Sequence, residues 1–118
     1  MEYPLEGVRI LDLSQVQAGP SCTQLLAWLG AEVIKIEEPG VGDRTRAGVP
    51  AFKSTEESLR PGLDSFFFLV FNANKRSLCL NLKSGEGLSI FMKLVKISDI
   101  VIENFGPGRM DRFGLGYK

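Results

Sequence analysis

The feature that most constrains this chain is a strand-helix-strand pattern near its start, spread over about 30 residues. The run VRILDL (8–13) predicts a short buried strand, because branched apolar side chains dominate it. Pro20 suits the first position of a helix, and Gly30 suits the position just after its end. The run AEVIKIE (31–37) predicts a second strand. A βαβ unit of this kind requires the two strands to be parallel.

The second half of the chain repeats this order. RSLCLNL (76–82) alternates apolar and polar residues and predicts a strand, and DIVIEN (99–104) predicts another. Residues 84–96 predict a helix between them, because Ser84 is a good N-cap residue and apolar side chains recur on one face. The chain therefore contains two βαβ patterns in succession.

The segment between the two patterns is less regular. FFFLVF (66–71) is apolar on every side, which fits either a central strand or a buried helical turn, and Ser65 as an N-cap residue favours a short helix. Residues 39–63 are rich in Gly, Pro, Ser and charge and predict an irregular excursion. The whole order predicts one α/β domain over residues 1–118, an open, mostly parallel, Rossmann-like sheet flanked by helices. A hydrophobic content of 44% is enough for its core.

Composition excludes several classes of function. A net charge of zero argues against a nucleic-acid partner. The sequence has no histidine, which excludes Ser-His-Asp and Cys-His nucleophiles and most catalytic zinc sites, so we expect no metal. Cys22 and Cys79 form no disulfide framework, and we expect both to be reduced and buried. The first residues have no signal-peptide pattern and no apolar run is long enough to span a membrane, so we expect a cytoplasmic protein.

Ligands of open parallel sheets bind beyond the carboxyl ends of the strands. The loops expected there comprise residues 14–19, 38–43, 83–85 and 104–112. The first loop leads into a helix N-terminus, which favours an anion, although a plain turn is the alternative. No G-x-G-x-x-G follows the first strand and no P-loop motif occurs, which argues against a standard dinucleotide or P-loop site.

Charged side chains near the strand ends indicate what such a ligand would carry. Several basic residues together favour a phosphate-rich ligand, since arginine donates paired hydrogen bonds to phosphate. These residues are Lys75, Arg76, Lys83, Arg109 and Arg112. Two carboxylates, Asp12 and Glu103, lie in predicted strands, where each could cap a neighbouring turn or take part in function. Asp43 is interpreted as a turn residue.

Three motifs in a fixed order carry a resemblance to a known family. They are LEGVRILDLSQVQAGPSCTQLLAWLGAEVIKIEEPGVGDRTR, NANKRSLCLNLKSGEG and DIVIENFGPGRMDRFGLGYK. Together they resemble the N-terminal part of family III CoA-transferases, which include formyl-CoA, carnitine and bile-acid CoA-transferases and α-methylacyl-CoA racemases. The resemblance covers nearly the whole chain apart from about residues 47–64, and VQAGP with ENFGPG is nearest to the formyl-CoA transferase branch.

The resemblance implies that coenzyme A, as acyl-CoA, is a substrate, that a carboxylic acid is the acceptor, and that the protein is a homodimer. The loop after the first strand would help to hold CoA. The residues implied to contact CoA are Gln17, Ala18, Leu80, Lys83, Asn104, Phe105, Gly106 and Arg112. One departure is Glu38, where many relatives have a basic residue near the adenosine end. A carboxylate there would repel phosphate, unless Arg44 or Arg46 compensates for it.

The family's nucleophile is an aspartate well downstream of ENFGPG, and no residue of this chain stands at its place in the motif order. The resemblance therefore implies a CoA-binding part that is inactive alone. In the full family enzyme, the aspartate attacks an acyl-CoA thioester to give a mixed anhydride, and CoA reaches the acceptor through an aspartyl-CoA thioester. The alternatives are the racemase branch, a truncated non-catalytic binding or assembly module, and an NAD-type oxidoreductase domain that lacks the usual glycine fingerprint.

Overall fold

The strands and helices alternate along the chain in a computed structural model, which describes residues 2–47 and 64–117. The strands are β1 (Arg9–Asp12), β2 (Glu32–Glu37), β3 (Arg76–Cys79) and β4 (Ile100–Ile102). The helices are α1 (Ala18–Trp28), α2 (Phe66–Asn72), α3 (Gly85–Val95) and α4 (Arg109–Arg112). None of the helices within these ranges is long and apolar enough to cross a membrane.

The four strands form one parallel sheet in the order β3-β2-β1-β4. Arg9 and Ile10 of β1 lie opposite Glu32 of β2 and Ile100 of β4, respectively. The chain moves outward from β1 through β2 to β3 and then returns to place β4 on the other side of β1. This reversal creates a switch point between β1 and β4, where sheets of this type open a crevice at the carboxyl ends. The predicted fold class is confirmed.

Two apolar clusters sandwich the sheet because successive side chains of β1 point to opposite faces. Ile10 packs with Ala27 of α1 on one face, and Leu11 packs with Phe91 of α3 on the other. All four of these side chains are buried, and each contributes about 1–3 kcal/mol by leaving water. Helices therefore cover both faces, and β1 is the buried strand that the sequence predicted.

Local signals gave the right starts of α2 and α3, whereas α1 begins at Ala18, two residues before the predicted first position at Pro20. Ser65 accepts a hydrogen bond from the backbone N–H of Phe68 at 3.0 Å, and Ser84 accepts one from Gly87 at 3.1 Å. Gly30 follows α1 with a φ of +103°, a conformation that glycine adopts without a side-chain clash. The short-helix interpretation of FFFLVF is confirmed.

Two sequence predictions are wrong, and one cannot be followed completely. Cys22 and Cys79 are exposed, because Cys22 faces outward on α1 and Cys79 lies on the edge strand β3. Residues 104–112, predicted as a loop after the last strand, contain helix α4. Within the predicted excursion, residues 39–47 form turns and irregular backbone, and residues 48–63 lie outside the described residues.

Candidate functional site

The loops after β1 and β4 are joined at the switch point by the side chain of Asn104. Its Oδ1 accepts a hydrogen bond from the backbone N–H of Gln15 at 2.8 Å, and its Nδ2 donates one to the Gln15 carbonyl at 2.8 Å. The neighbouring Val16 has a φ of +70°, which is strained for a β-branched residue. Such strain persists only where surrounding contacts hold it, and it is concentrated at ligand-binding sites.

A first pocket, here called the outer pocket, lies over this junction and has a volume of about 390 Å³. It is lined by Gln15, Val16, Gln17, Ala18, Arg44, Asn104, Phe105, Gly106 and Arg109. Gln17 is the N-cap residue of α1, and its side chain makes no capping hydrogen bond. The structure thus brings together five of the residues that the resemblance implied for CoA, namely Gln17, Ala18, Asn104, Phe105 and Gly106.

A second pocket, here called the inner pocket, adjoins the first and has a volume of about 40 Å³. Its lining includes Leu80 and Lys83 after β3, and Glu38 after β2. Gln15, Phe105 and Arg109 line both pockets. Leu80 and Lys83 therefore reach the same crevice as the β1 and β4 loops, along the carboxyl edge of the sheet.

Arg112 stands apart from the other predicted ligand residues. It is exposed on α4 and lines neither pocket, whereas Arg109, one turn earlier on the same helix, lines both. Both arginines are among the cations predicted near the strand ends, and the motif match favoured Arg112. No signal in the sequence separates the two, because residues three apart on a helix lie on the same face, and only the packing of α4 decides which side chain reaches the crevice. Contact of any of these residues with CoA stays a prediction.

The Glu38 side chain is paired within the inner pocket. Lys83 Nζ donates to Glu38 Oε1 at 2.6 Å, and the side chain of Lys83 is largely exposed whereas that of Glu38 is partly exposed. This hydrogen bond and the lysine charge lower the pKa of Glu38 below its usual value, with a smaller contribution from Arg109. The Glu38 carboxylate, which departs from the family pattern, therefore binds the Lys83 ammonium group that the resemblance assigned to CoA.

Arg46 does not supply a free cation in place of Glu38. It donates to Glu37 at 2.6 and 2.7 Å and to Asp64 at 2.7 Å. Burial would raise the pKa of Glu37, but hydrogen bonds from Arg46, Ser77 and the Asp43 backbone outweigh it and lower that pKa to about 2. Arg44, in contrast, lines the outer pocket.

Asp12 belongs to a buried network beneath the β1 loop. Its Oδ1 accepts from both the backbone N–H and the hydroxyl of Ser14, and its Oδ2 accepts from Thr23 at 2.6 Å. Lys75 Nζ lies 3.0 Å from Oδ2 and also donates to the Pro20 carbonyl at 2.9 Å. Burial lowers the pKa of Lys75, and the facing carboxylate of Asp12 limits that decrease. Of the two interpretations of Asp12, the structure supports the cap of a neighbouring turn.

A second buried pair connects two of the loops. Lys35 Nζ donates to the Ser14 carbonyl at 2.8 Å and lies 2.9 Å from Asp43 Oδ2. Asp43 Oδ1 accepts from the backbone N–H of Thr45 at 2.9 Å and from its hydroxyl at 2.7 Å, which confirms the turn interpretation. Burial would raise the pKa of Asp43, but the Thr45 bonds and the Lys35 charge lower it.

The other carboxylate predicted to lie in a strand, Glu103, instead follows the last residue of β4 and has a local role. It is exposed and accepts a hydrogen bond from the backbone N–H of Phe105 at 2.6 Å. This bond closes the turn that presents Asn104 and Phe105 to the outer pocket. Glu103 thus shapes the β4 loop as a turn residue.

The switch point, the crevice over the strand ends and the helices on both faces define a doubly wound α/β protein with a ligand crevice. Residues 5–118 match the sequence model of CoA-transferase family III. Because this match covers almost the whole chain, the chain belongs to that family. The resemblance found in the three sequence motifs is confirmed.

Individual relatives agree with this assignment. The chain is 48% identical to the formyl-CoA:oxalate CoA-transferase of Bradyrhizobium sp. (strain ORS 278) over 118 residues, and 48% identical to that of Escherichia coli O157:H7 (strain EC4115 / EHEC) over 120 residues. Each alignment covers 100% of this chain and 26% of the relative. The chain thus spans about a quarter of the length of the curated relatives that it matches.

Solved structures show the same backbone. A CAIB/BAIF family protein from Brucella suis superposes with a TM-score of 0.84 at 38% identity, covering 99% of this chain and 30% of that chain. A hypothetical protein from Mycobacterium tuberculosis superposes with a TM-score of 0.81 at 37% identity, covering 97% and 29%. The parallel sheet and its switch point are therefore those of the family.

Proposed function

We propose that this chain forms the coenzyme A-binding part of a CoA-transferase, which moves CoA between an acyl-CoA thioester and a carboxylic acid. The observation that carries the proposal is the outer pocket, where residues from the β1 and β4 loops converge. Asn104 fixes the two loops against each other through its paired bonds to Gln15, so the pocket wall is formed before a ligand arrives. A preformed wall lowers the cost of ordering the protein on binding.

The chemistry supports a division of labour between this part and a nucleophile elsewhere. The resemblance implies an aspartate that attacks the thioester to give a mixed anhydride and CoA thiolate. The thiolate then forms an aspartyl-CoA thioester while the donor acyl group leaves as its carboxylate, so that CoA is the group carried to the acceptor acid. None of the carboxylates described above has the position of that aspartate in the motif order. The proposed task of this chain is to bind CoA and orient its thioester, with backbone N–H groups of the Gly-rich loops near the developing oxyanions.

Formyl-CoA as donor and oxalate as acceptor are the substrates we propose, because curated relatives with 48% identity to this chain carry these names. The racemase branch is the other interpretation within the same family. It predicts proton exchange next to the thioester carbonyl of a 2-methylacyl-CoA, with no acceptor acid. The cytoplasmic location and the homodimer stay predictions from the sequence.

Calorimetric titration with CoA tests the binding proposal directly. The folded chain should bind CoA saturably, and NMR signals of Gln17, Ala18, Asn104 and Gly106 should shift during the titration. Excess NADH should leave the binding of CoA unchanged, which separates this function from an oxidoreductase domain. A folded sample that shows no saturable CoA binding would overturn the proposal.

The transfer proposal needs the protein as its native source makes it. Its intact mass shows whether residues follow Lys118, and an assay with formyl-CoA and oxalate then measures the exchange. We expect oxalyl-CoA from the native protein and none from the 118-residue chain alone. Incorporation of solvent deuterium into a 2-methylacyl-CoA, without transfer to oxalate, would favour the racemase branch instead.

A further inference from the structure

Two lysines with buried side chains lie beneath the loop that follows β1. Lys35 belongs to β2 and Lys75 immediately precedes β3, and each side chain is 2% exposed. Because a buried ammonium group loses its hydration shell, it is tolerated only where carboxylates and hydrogen-bond acceptors replace the lost water. Asp43 supplies the opposite charge to Lys35, and Asp12 supplies it to Lys75. The ion pairs therefore balance the two charges and leave each ammonium group with further hydrogens to donate.

Both lysines donate to backbone carbonyls of the same loop. Lys35 Nζ donates to the Ser14 carbonyl at 2.8 Å, and Lys75 Nζ donates to the Pro20 carbonyl at 2.9 Å. These two carbonyls stand on either side of residues 16–18, which line the outer pocket. Each lysine thus holds one end of the turn that forms this part of the pocket wall.

The turn is strained and needs such support. Val16 has a φ of +70°, which a β-branched residue adopts only where surrounding contacts hold it. The two ends of the turn also touch, because a Cβ atom at Gly19 would overlap that of Ser14. Asn104 holds Gln15 from the side of the β4 loop, whereas the lysines hold the turn from the side of the sheet. Hydrogen bonds from a charged donor are stronger than neutral ones, so the contacts of the two ammonium groups are the strongest of these.

We propose that Lys35 and Lys75 are positioning residues of the outer pocket, which hold the Ser14 and Pro20 carbonyls and thereby fix residues 16–18 in the conformation that receives CoA. Neither lysine lines the outer or the inner pocket, so both act through the backbone. This inference rests on the proposed function, because it takes the outer pocket as the CoA site. It deepens that function by assigning the preformed shape of the pocket wall to two buried charges.

The test removes one lysine without leaving an unpaired charge inside the protein. In Lys35→Met/Asp43→Asn both charges of the pair are absent, so the fold should survive, but the Ser14 carbonyl loses its donor. Val33→Ala is the matched control, because Val33 lies two residues earlier on the same face of β2, is 2% exposed and lines neither pocket. All measurements are made well below the thermal unfolding midpoint of each protein.

The first readout needs no ligand and reports the backbone of Val16. A positive φ brings the amide proton close to the α proton of the same residue, which gives a strong nuclear Overhauser effect between them. This signal should be strong in the wild type and in V33A, and it should weaken in K35M/D43N as Val16 relaxes to a negative φ. A wild-type signal in K35M/D43N would overturn the inference.

The second readout is the affinity for CoA, measured by calorimetric titration. If only about a tenth of the K35M/D43N molecules hold the turn in the competent conformation, the apparent Kd should rise about tenfold. V33A should stay within about twofold of the wild type, because its turn is unchanged. Equal losses in V33A and K35M/D43N would contradict the inference, since any loosening of the core would then have the same effect.

The second lysine gives an independent comparison, which also serves if K35M/D43N does not fold. In Lys75→Met/Asp12→Asn the Pro20 carbonyl loses its donor, while the amide introduced at position 12 keeps an oxygen for Ser14 and can donate to Thr23. The same weakening of the Val16 signal and of CoA binding is expected. A folded K75M/D12N protein with wild-type values of both would show that Lys75 does not position the turn.

The possible failures are distinguishable. If the wild-type chain binds CoA and both double variants keep the Val16 signal and the affinity, the proposed function stands and this inference is wrong. If the folded wild-type chain shows no saturable binding of CoA, the proposed function is wrong, and the Val16 signal still decides whether the lysines fix the turn.

Discussion

Two groups of charged side chains near the carboxyl ends of the strands differ in their exposure and in how completely their charges are paired. The buried cluster of Asp12, Lys35, Asp43 and Lys75 has side chains at most 2% exposed, and its opposite charges lie 2.9 and 3.0 Å apart. The pocket group comprises Glu38, Lys83 and Arg109, with 39% and 63% of the first two side chains exposed. In the buried cluster each charge faces a partner. In the inner pocket, Glu37 pairs with Arg46 and Glu38 pairs with Lys83, whereas no ion pair of Arg109 is found in the part of the chain that the structure describes. The uncompensated charge therefore lies where a ligand could reach it.

The physical reason is the cost of desolvation. A charge withdrawn from water is tolerated only when an opposite charge and hydrogen bonds replace its solvent shell. An exposed cation keeps its hydration shell, so it can remain unpaired in the absence of a ligand without a large cost in desolvation free energy. A carboxylate inside a strand, such as Asp12, thus indicates structural support here, and the charges proposed to bind a ligand lie beyond the strand ends.

The largest expected effect comes from breaking the Asp12–Lys75 pair. Lys75→Met leaves Asp12 buried without its counter-charge and should lower the free energy of unfolding by about 3–5 kcal/mol. The matched change Lys83→Met, in the exposed pair with Glu38, should cost no more than about 1 kcal/mol. Urea unfolding of both variants measures the difference, and equal losses would contradict the comparison.

The second prediction concerns Lys35, which joins the β1 loop to Asp43. Lys35→Met should destabilise the fold, and the double variant Lys35→Met/Asp43→Asn should regain about 1–3 kcal/mol, because no uncompensated charge is left inside. The amide that replaces the Asp43 carboxylate keeps an oxygen for Thr45, but the Ser14 carbonyl still lacks its donor. We therefore expect urea unfolding to show recovered stability while calorimetry shows CoA binding still weakened. Recovery of both together would show that Lys35 does not position the loop.

A third prediction uses the pair of Glu37 and Arg46. The Arg46 side chain is 30% exposed, so this pair is intermediate in exposure between the buried cluster and the pocket group. The folded-state pKa is about 2 against an ordinary 4.5, so the folded state binds its proton less readily than the unfolded state. The stabilisation is fully present above pH 4.5 and is lost as the pH falls toward 2. Glu37→Gln should flatten this part of the profile of unfolding free energy against pH. If the wild type and the variant lose unfolding free energy with the same slope as the pH falls, other carboxyl groups cause the loss of stability in acid.

The smallest effect is expected for Glu38→Gln. The change frees Lys83 and removes a negative charge from the inner pocket, so CoA should bind up to about fivefold more tightly at low salt. The gain should shrink as salt is added, because both side chains are accessible to solvent and salt screens their charges. Calorimetric titration at two salt concentrations measures it, and weaker binding of CoA would show that Glu38 contributes a favourable contact.

Much of the fold was predictable because its signals are local. Ser65 and Ser84 cap helices through hydrogen bonds to residues three positions ahead, and Gly30 ends α1 through its own backbone conformation. Helix α4 escaped prediction because its four residues follow glycines. Its stability depends on Met110 and Leu115, which pack against the core around Phe91. A helix this short is not stable from propensity alone.

The candidate site was predictable only in outline. The motifs pointed to the right loops, and five of the implied residues do line the outer pocket. The motifs could not show that Glu38 forms an ion pair with Lys83, since these residues are 45 positions apart and their pairing depends on how two loops meet. Whether Arg109 or Arg112 lines the pockets likewise depended on the direction in which α4 presents each side chain.

By itself, the sequence determined the order of strands β1 to β4 and helices α1 to α3, the parallel sheet and the family, because periodicity, caps and motifs act over a few residues each. Only the tertiary structure decided the function of the individual charges. Asp12 and Lys75 are 63 positions apart, and they become a buried pair because Lys75, just before β3, lies against the first turn of α1, where it also donates to the Pro20 carbonyl. Electrostatic energy depends on distance and burial, and the folded chain fixes both.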